Sequence, residues 1–217
     1  MSYADIIRAF DDPVYFAEKL LGVKLFPKQA EILKSFYSSE YRDLIVIAGM
    51  RSGKSFLSSV IAVYEAFRLL AMGDPQSYYG LDPSSPIHII VVAASEEQAQ
   101  DAIFSHIKDF VRRCDYFKKF NPKILKDTVI FQKPHVKIFA GSSSSSTMVG
   151  RTAKCVIFDE LARFEQTEGK RGAWMVYTSL KNATATFGKD GRRVIISSPL
   201  RSNDILMQLY HKSLELK

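Results

Sequence analysis

"VIAGMRSGKSFL", residues 46–57, joins a short apolar run to a polar turn that ends in Gly53-Lys54-Ser55. The phosphate-loop pattern G-x-x-x-x-G-K-[ST] asks for glycine at position 48. Ala48 stands there, and a glycine follows one place late as Gly49. Such a loop holds phosphates because successive backbone N–H groups converge at a helix N-terminus. Gly53 lets the backbone approach closely, Lys54 reaches the β- and γ-phosphates, and the Ser55 hydroxyl coordinates Mg²⁺. Alanine is the smallest substitute for glycine, and Gly49 is expected to absorb any positive φ that position 48 refuses. The competing reading is a chance GKS at a helix start.

What surrounds the loop decides between these readings. DLIVIAG (43–49) reads as a buried strand, and FLSSVIAVYEAFRLLAM after the GKS has helical period up to Gly73-Asp74-Pro75. IHIIVVAAS (87–95), CVIFDE (155–160) and RRVIISSP (192–199) repeat the apolar-strand pattern, and EEQAQDAIFSHIKDFVRRC is a helix, acidic at its start and basic at its end. TVIFQ (128–132) and HVKIFAG (135–141) form an antiparallel hairpin turning at Lys133-Pro134. Residues 164–187 read as helix with breaks at Gly169 and Gly172, and NDILMQLYHKSLEL as a last helix capped by Asn203 or Asp204. GSSSSSTMVG (141–150) reads as a loop.

Upstream, residues 3–40 read as helices. One starts after the Asp12 cap at Pro13 and another at Pro27, with Phe26, Ala30, Leu33, Phe36 and Tyr37 as an apolar stripe. The expected fold class is α/β, a mainly parallel sheet with helices on both faces and a helical N-terminal extension. Residues 1–40 form the extension and 41–217 the nucleotide-binding core.

In such sheets ligands sit beyond the carboxyl ends of the strands, where three polar signatures fall. The second is Asp159-Glu160. Asp159 suits a Mg²⁺ ligand and Glu160 a base that orients or deprotonates water; the alternative is a helix cap. The third, Ser197-Ser198-Pro199, suits a sensor of the γ-phosphate, or merely a turn. Gln29 in LFPKQAEIL offers an amide that can pair with adenine N6 and N7, or is a surface residue of an amphipathic helix.

Composition excludes several classes. The chain has 217 residues, 47% hydrophobic and 24% charged, as ordinary globular chains do. No apolar run approaches the ~20 residues of a membrane span, and MSYADIIRAFDD lacks the pattern of a secretory signal. Cys114 and Cys155 lack partner motifs, and the four histidines lack ligand spacing. A formal net charge of +7 favours polyanion partners. Between Ser105 and Lys126 seven Lys or Arg stand against two Asp, interleaved with Phe110, Tyr116, Phe117 and Phe120. This stretch is either a nucleic-acid-binding strip or a solvated helix face with its buried side.

Together these residues resemble the ATPase domain of the large terminase subunit, the DNA-packaging motor of tailed bacteriophages. VIAGMRSGKSFLSS resembles its variant Walker A, CVIFDE its Walker B, IISSP its coupling motif and FPKQAEIL its adenine-binding segment. The resemblance implies the ASCE/RecA-like type of P-loop NTPase fold. It implies Mg²⁺-dependent ATP hydrolysis in the host cytoplasm by a homo-oligomeric ring on a portal. Double-stranded DNA and a small terminase subunit are the implied partners. In that frame residues 48–55 (Ala48, Gly49, Met50, Arg51, Ser52, Gly53, Lys54, Ser55) hold nucleotide. An arginine completes each site: Arg51 in cis, or Arg151 in trans on a neighbour's γ-phosphate. The family's second, nuclease domain is not expected from these residues, nor is DNA cleavage. The competing classes are the first RecA-like half of a superfamily 2-type DNA helicase, and a binding module that holds nucleotide without turnover.

Overall fold

The computed structural model describes residues 2–95, 97, 99–143, 150–164 and 172–215, with the backbone alone at 100–102. Helices α1 (Tyr3–Asp11), α2 (Pro13–Tyr15, continued by a π-helical turn Phe16–Leu20) and α3 (Pro27–Ser38) open the chain. Asp12 caps α2 as its sequence position suggests, its Oδ1 accepting from Val14 N at 2.9 Å and Tyr15 N at 3.0 Å. Phe26 is not part of the buried stripe. It precedes α3 as the cap residue and is 69% exposed, and Gln29 turns inward instead.

Seven strands form one sheet in the order β1-β7-β6-β2-β5-β4-β3. They are β1 (Asp43–Ile47), β2 (Ile87–Ala93), β3 (Lys123–Ile124), β4 (Thr128–Phe131), β5 (Val136–Ser142), β6 (Ala153–Asp159) and β7 (Arg192–Ser197). β1, β7, β6, β2 and β5 run parallel. β4 and β5 form the expected hairpin, and β3 lengthens it at the far margin. Residue pattern alone carries no sign that β5 also pairs in parallel with β2, which welds the hairpin to the central sheet.

β2, β6 and β7 are buried on both faces, as apolar strands sandwiched between helices must be. One face is covered by α1–α3, α4 (Lys54–Ala71), α6 (Ser105–Arg113) and α7 (Asp115–Lys118). A short α5 (Pro75–Tyr78), capped by Asp74, follows α4. The helix expected to start at the acidic residues is helical at Glu97 and passes through a π-helical turn over Ala99–Phe104. The other face is covered by α8 (Ala173–Ala183), α9 (Ile205–Leu214) and a 3₁₀ turn over Leu161–Arg163.

The helix expected over 164–187 is thus shorter. Phe164 is extended, Gly172 caps α8, and a 3₁₀ stretch spans Ala185–Asp190. The Gly169 break and most of the serine-rich loop lie outside the described residues. Asp204, not Asn203, caps α9, accepting from Met207 N at 2.9 Å. Among the described residues no helix is long and apolar enough to cross a membrane.

Candidate nucleotide site

Strand register assembles the site. Ile47 lies opposite Ser197 on β7, and Asp159 lies opposite Ile196. The ladder runs one step further on each side, with Ala48 N bonded to Ser197 O at 3.2 Å and Glu160 N to Ile196 O at 2.7 Å. Three motifs far apart in sequence therefore end within one rung of each other, at the carboxyl edge of the sheet.

The loop from Ala48 to Gly53 then turns into α4. Gly53 adopts φ +79°, a left-handed conformation that side-chain-bearing residues avoid. A Cβ there would also meet Gln29 Nε2 at 2.6 Å, so the amide that ties α3 to the loop would have to move. The loop's other left-handed residue is Arg51 (φ 60°), not Gly49 as the sequence suggested. Ala48 has no positive φ, which is why alanine replaces the pattern's glycine without strain.

Lys54, 8% exposed, folds back over the loop. Its Nζ donates to Gly49 O at 2.7 Å and to Ser198 Oγ at 3.1 Å, and sits 3.6 Å from Glu160 Oε1. Ser198 Oγ in turn donates to Ala48 O at 2.9 Å. Glu160 Oε2 accepts from Ser198 N at 3.1 Å and from Ser197 Oγ at 3.3 Å. Loop lysine, strand-end glutamate and both serines form one connected network. Glu160 also holds a left-handed backbone (φ 53°, ψ 46°), which costs a side-chain-bearing residue about 1–2 kcal/mol.

Asp159 is 4% exposed, and its Oδ1 has no hydrogen-bond partner. Burial pushes its carboxyl up to about 6; the charge of Glu160 adds to the rise and Lys54 opposes it. A buried carboxylate with an unsatisfied oxygen suits a cation. No cluster of three or more His, Cys, Asp or Glu that could hold a metal by itself occurs among the described residues. The donor set therefore fits a hard cation that arrives with oxygen ligands of its own, as Mg²⁺ does on a nucleotide. Asp159, and by its loop position the Ser55 hydroxyl, would be the residues to hold it.

Gln29 lies beside the loop but does not present a free amide edge. Its Oε1 accepts from Phe26 N at 3.0 Å and its Nε2 donates to Gly53 O at 3.3 Å. In this arrangement Gln29 ties α3 to the loop, with both amide atoms engaged by protein groups. Arg51 stands exposed on the loop. Arg151 is not brought to the site. It precedes β6 at the amino edge of the sheet, about 25 Å along the strand from Asp159. There its guanidinium lies 4.5 Å over the Phe139 ring and donates to His88 Nε2 at 3.2 Å.

Sequence reasoning missed Arg163. Its Nε lies 3.7 Å from Glu160 Oε2. The signal was the three-residue spacing, which becomes meaningful only once the turn after Glu160 is known to be 3₁₀. The basic strip resolves into two layers. Ile107, Phe110, Val111, Tyr116 and Phe117 are buried, and Lys108, Arg112, Arg113, Lys118 and Lys119 face outward. The aromatics there serve the core and do not form a stacking platform for bases.

A parallel sheet with a glycine-lysine-serine loop between β1 and α4 and an acidic pair ending β6 defines a P-loop NTPase fold. The family model for "Uncharacterized protein MJ0330, N-terminal P-loop domain" matches residues 11–217, and the chain belongs to that family. No curated protein matches the chain. Among solved structures, the large terminase of bacteriophage HK97 superposes with a TM-score of 0.70 at 17% identity, over 95% of this chain and 41% of that one. The large terminase ATPase domain of Thermus phage P74-26 gives 0.62 at 22% identity, over 84% and 68%. The large terminase of another thermophilic bacteriophage, solved in complex with ATP-gamma-S, gives 0.55 at 15%, over 89% and 43%. The chain thus spans about two fifths of the HK97 protein. It shares the fold of large terminase ATPase domains, as the resemblance in its motifs implied.

Proposed function

We propose that the chain is a Mg²⁺-dependent ATP hydrolase whose turnover drives double-stranded DNA into a viral procapsid. The observation that carries the reading is the network joining Lys54, Glu160, Ser197 and Ser198 at one rung of the sheet. The roles follow from its chemistry. Residues 48–55 cradle the phosphates with backbone N–H groups. Lys54 exchanges the Gly49 carbonyl for phosphate oxygens. Asp159 and Ser55 are the residues that would hold Mg²⁺ brought with the nucleotide, which would supply neutralisation of phosphate charge. Glu160 orients the attacking water and accepts its proton, and Ser198 senses the change through the same carboxylate.

The DNA-moving part of the reading rests on three supports. One is the likeness to terminase folds, including one solved with ATP-gamma-S. Another is the outward Lys/Arg layer of α6 and α7, suited to sequence-independent phosphate contact. The last is Arg151, which is too far from its own site to act in cis and so fits a trans arginine in a homo-oligomeric ring. A portal and a small terminase subunit complete the assembly. The helicase-half reading has no observation in its favour beyond the shared motifs.

The test is steady-state ATP turnover with Glu160→Gln beside wild type. Loss of the base is expected to lower turnover at least 100-fold and leave binding of a fluorescent ADP analogue intact. Equal turnover in the two proteins overturns the assignment.

A further inference from the structure

Glu160 sits between two cations, and only one belongs to the phosphate loop. The other is Arg163. The backbone explains why it is there. Glu160 turns left-handed at the end of β6, and Arg163 N donates to Glu160 O at 2.8 Å, closing a 3₁₀ turn over Leu161–Arg163. Side chains three residues apart in a 3₁₀ turn eclipse each other. The two cations meet different oxygens of the carboxylate: Arg163 Nε lies 3.7 Å from Oε2 and Lys54 Nζ 3.6 Å from Oε1. The turn is anchored independently of that contact, because Ala162 N donates to Ser197 Oγ at 3.2 Å. Arg163 itself is 43% exposed and borders a cavity of about 360 Å³ shared with Phe164, Leu200 and Arg201. Asp204 lines the same cavity, and its carboxylate accepts from the backbone N–H groups of Leu200, Arg201 and Met207.

We propose that Arg163 is a cis positioning residue that holds the Glu160 carboxylate in its working orientation when Lys54 leaves it for phosphate. The inference rests on Glu160 being the residue that orients water. Without nucleotide, Oε1 faces Lys54, and Oε2 faces Arg163 and the two serine donors. When Lys54 moves to phosphate oxygens, Oε1 loses its cation and becomes the oxygen free to take water. Oε2 stays fixed by Arg163 and by Ser198 N–H. The carboxylate then has one anchored and one working oxygen, a division that neither serine can enforce alone against a swinging side chain. This role differs from the one considered for Arg51, which stands on the loop and touches phosphate if it acts at all. Arg163 acts through another residue.

The experiment compares wild type, Arg163→Ala, Arg163→Lys, Glu160→Gln and the double variant Arg163→Ala/Glu160→Gln. It measures kcat and KM for ATP and the Kd of a fluorescent ADP analogue. Arg163→Ala is expected to lower kcat about tenfold, the effect of a misplaced reacting group, with KM and Kd within about twofold of wild type. Arg163→Lys recovers much of the loss, since a single contact needs only a point charge. The double variant is no slower than Glu160→Gln. A kcat that stays unchanged or rises in Arg163→Ala overturns the proposal, as does a loss confined to KM or a Lys variant no better than Ala. If Glu160→Gln turns over like wild type, the function reading itself falls and takes this inference with it. If Glu160→Gln is inactive and Arg163→Ala is not, only the inference falls. Thermal unfolding of each variant confirms that the exposed substitution leaves the fold intact.

Discussion

The two ends of the parallel sheet both bury charge, and they treat it in opposite ways. At the amino end each charged side chain has a protein partner, although Arg192 Nε itself is left unbonded among the described residues. Lys154 donates to Glu65 Oε2 at 2.9 Å and to Asp190 O, and Tyr37 OH donates to the other Glu65 oxygen at 2.8 Å. Burial pushes the Glu65 carboxyl up, but Lys154, helped by Arg68 and the Tyr37 hydroxyl, leaves it below its ordinary value. Arg193 forms a two-pronged pair with Asp43, and Arg192 donates to Tyr41 O while lying 5.0 Å over the Phe36 ring. At the carboxyl end Lys54 is held mainly by a loop carbonyl and a serine, and Asp159 Oδ1 has no partner. Buried charge alone does not mark a site. Buried charge with replaceable partners does.

The largest break in this comparison comes from the amino end. Lys154→Ala strands Glu65, which is 0% exposed, and is expected to cost about 3–5 kcal/mol of stability in urea unfolding. Adding Glu65→Leu recovers most of it. If Lys154→Ala costs under about 1 kcal/mol, the amino-end charges are not the fixed framework described here.

At the carboxyl end the sign reverses. Asp159 carries a penalty in the absence of a cation, because its folded pKa of about 6 lies above the ordinary carboxylate value. Asp159→Asn is expected to stabilise the nucleotide-free protein by up to about 3 kcal/mol at neutral pH and to abolish ATP turnover. A variant that melts lower than wild type breaks the contrast between the two ends.

The smallest expected effect returns to the amino end. His88 is 5% exposed, and burial holds its pKa down at about 4, with the Thr152 carbonyl opposing and the Arg151 charge adding to the shift. The folded value is depressed, so the stability it contributes is complete above about 6.5 and drains away as pH falls toward 4. Between pH 7.5 and 5 the loss comes to about 2 kcal/mol, read as the difference between wild type and His88→Gln. Parallel pH curves for the two proteins would remove His88 from this account.

The carboxyl end was the more legible of the two in sequence. Apolar runs that end abruptly in GKS, DE or SSP can be read without coordinates, because burying an uninterrupted strand and exposing its last residues leaves a sharp polarity step. The amino-end ion pairs left no such trace. Lys154 and Glu65 are separated by 89 positions, and each looks like any solvated charge until packing joins them. The same limit explains Gln29, whose burial depends on where α3 meets the loop, and the pairing of β5 with β2. Arg51 taking the left-handed turn in place of Gly49 is a local matter, but one that a residue's type does not decide when the loop is pinned at both ends.

β1 is bonded within the described sheet to β7 alone, and none of its five residues is fully buried. The strand that carries the phosphate loop is in mechanical terms a cantilever, clamped along a single flank. Pull applied to the loop enters the body of the protein on two sides: through the β1–β7 ladder to Ser197, and through α4, whose residues from Leu57 to Leu70 are largely buried. The clamping strand β7 ends at Ser197, whose Oγ donates to Glu160 Oε2 at 3.3 Å, so the flank that holds the loop strand also touches the strand-end carboxylate.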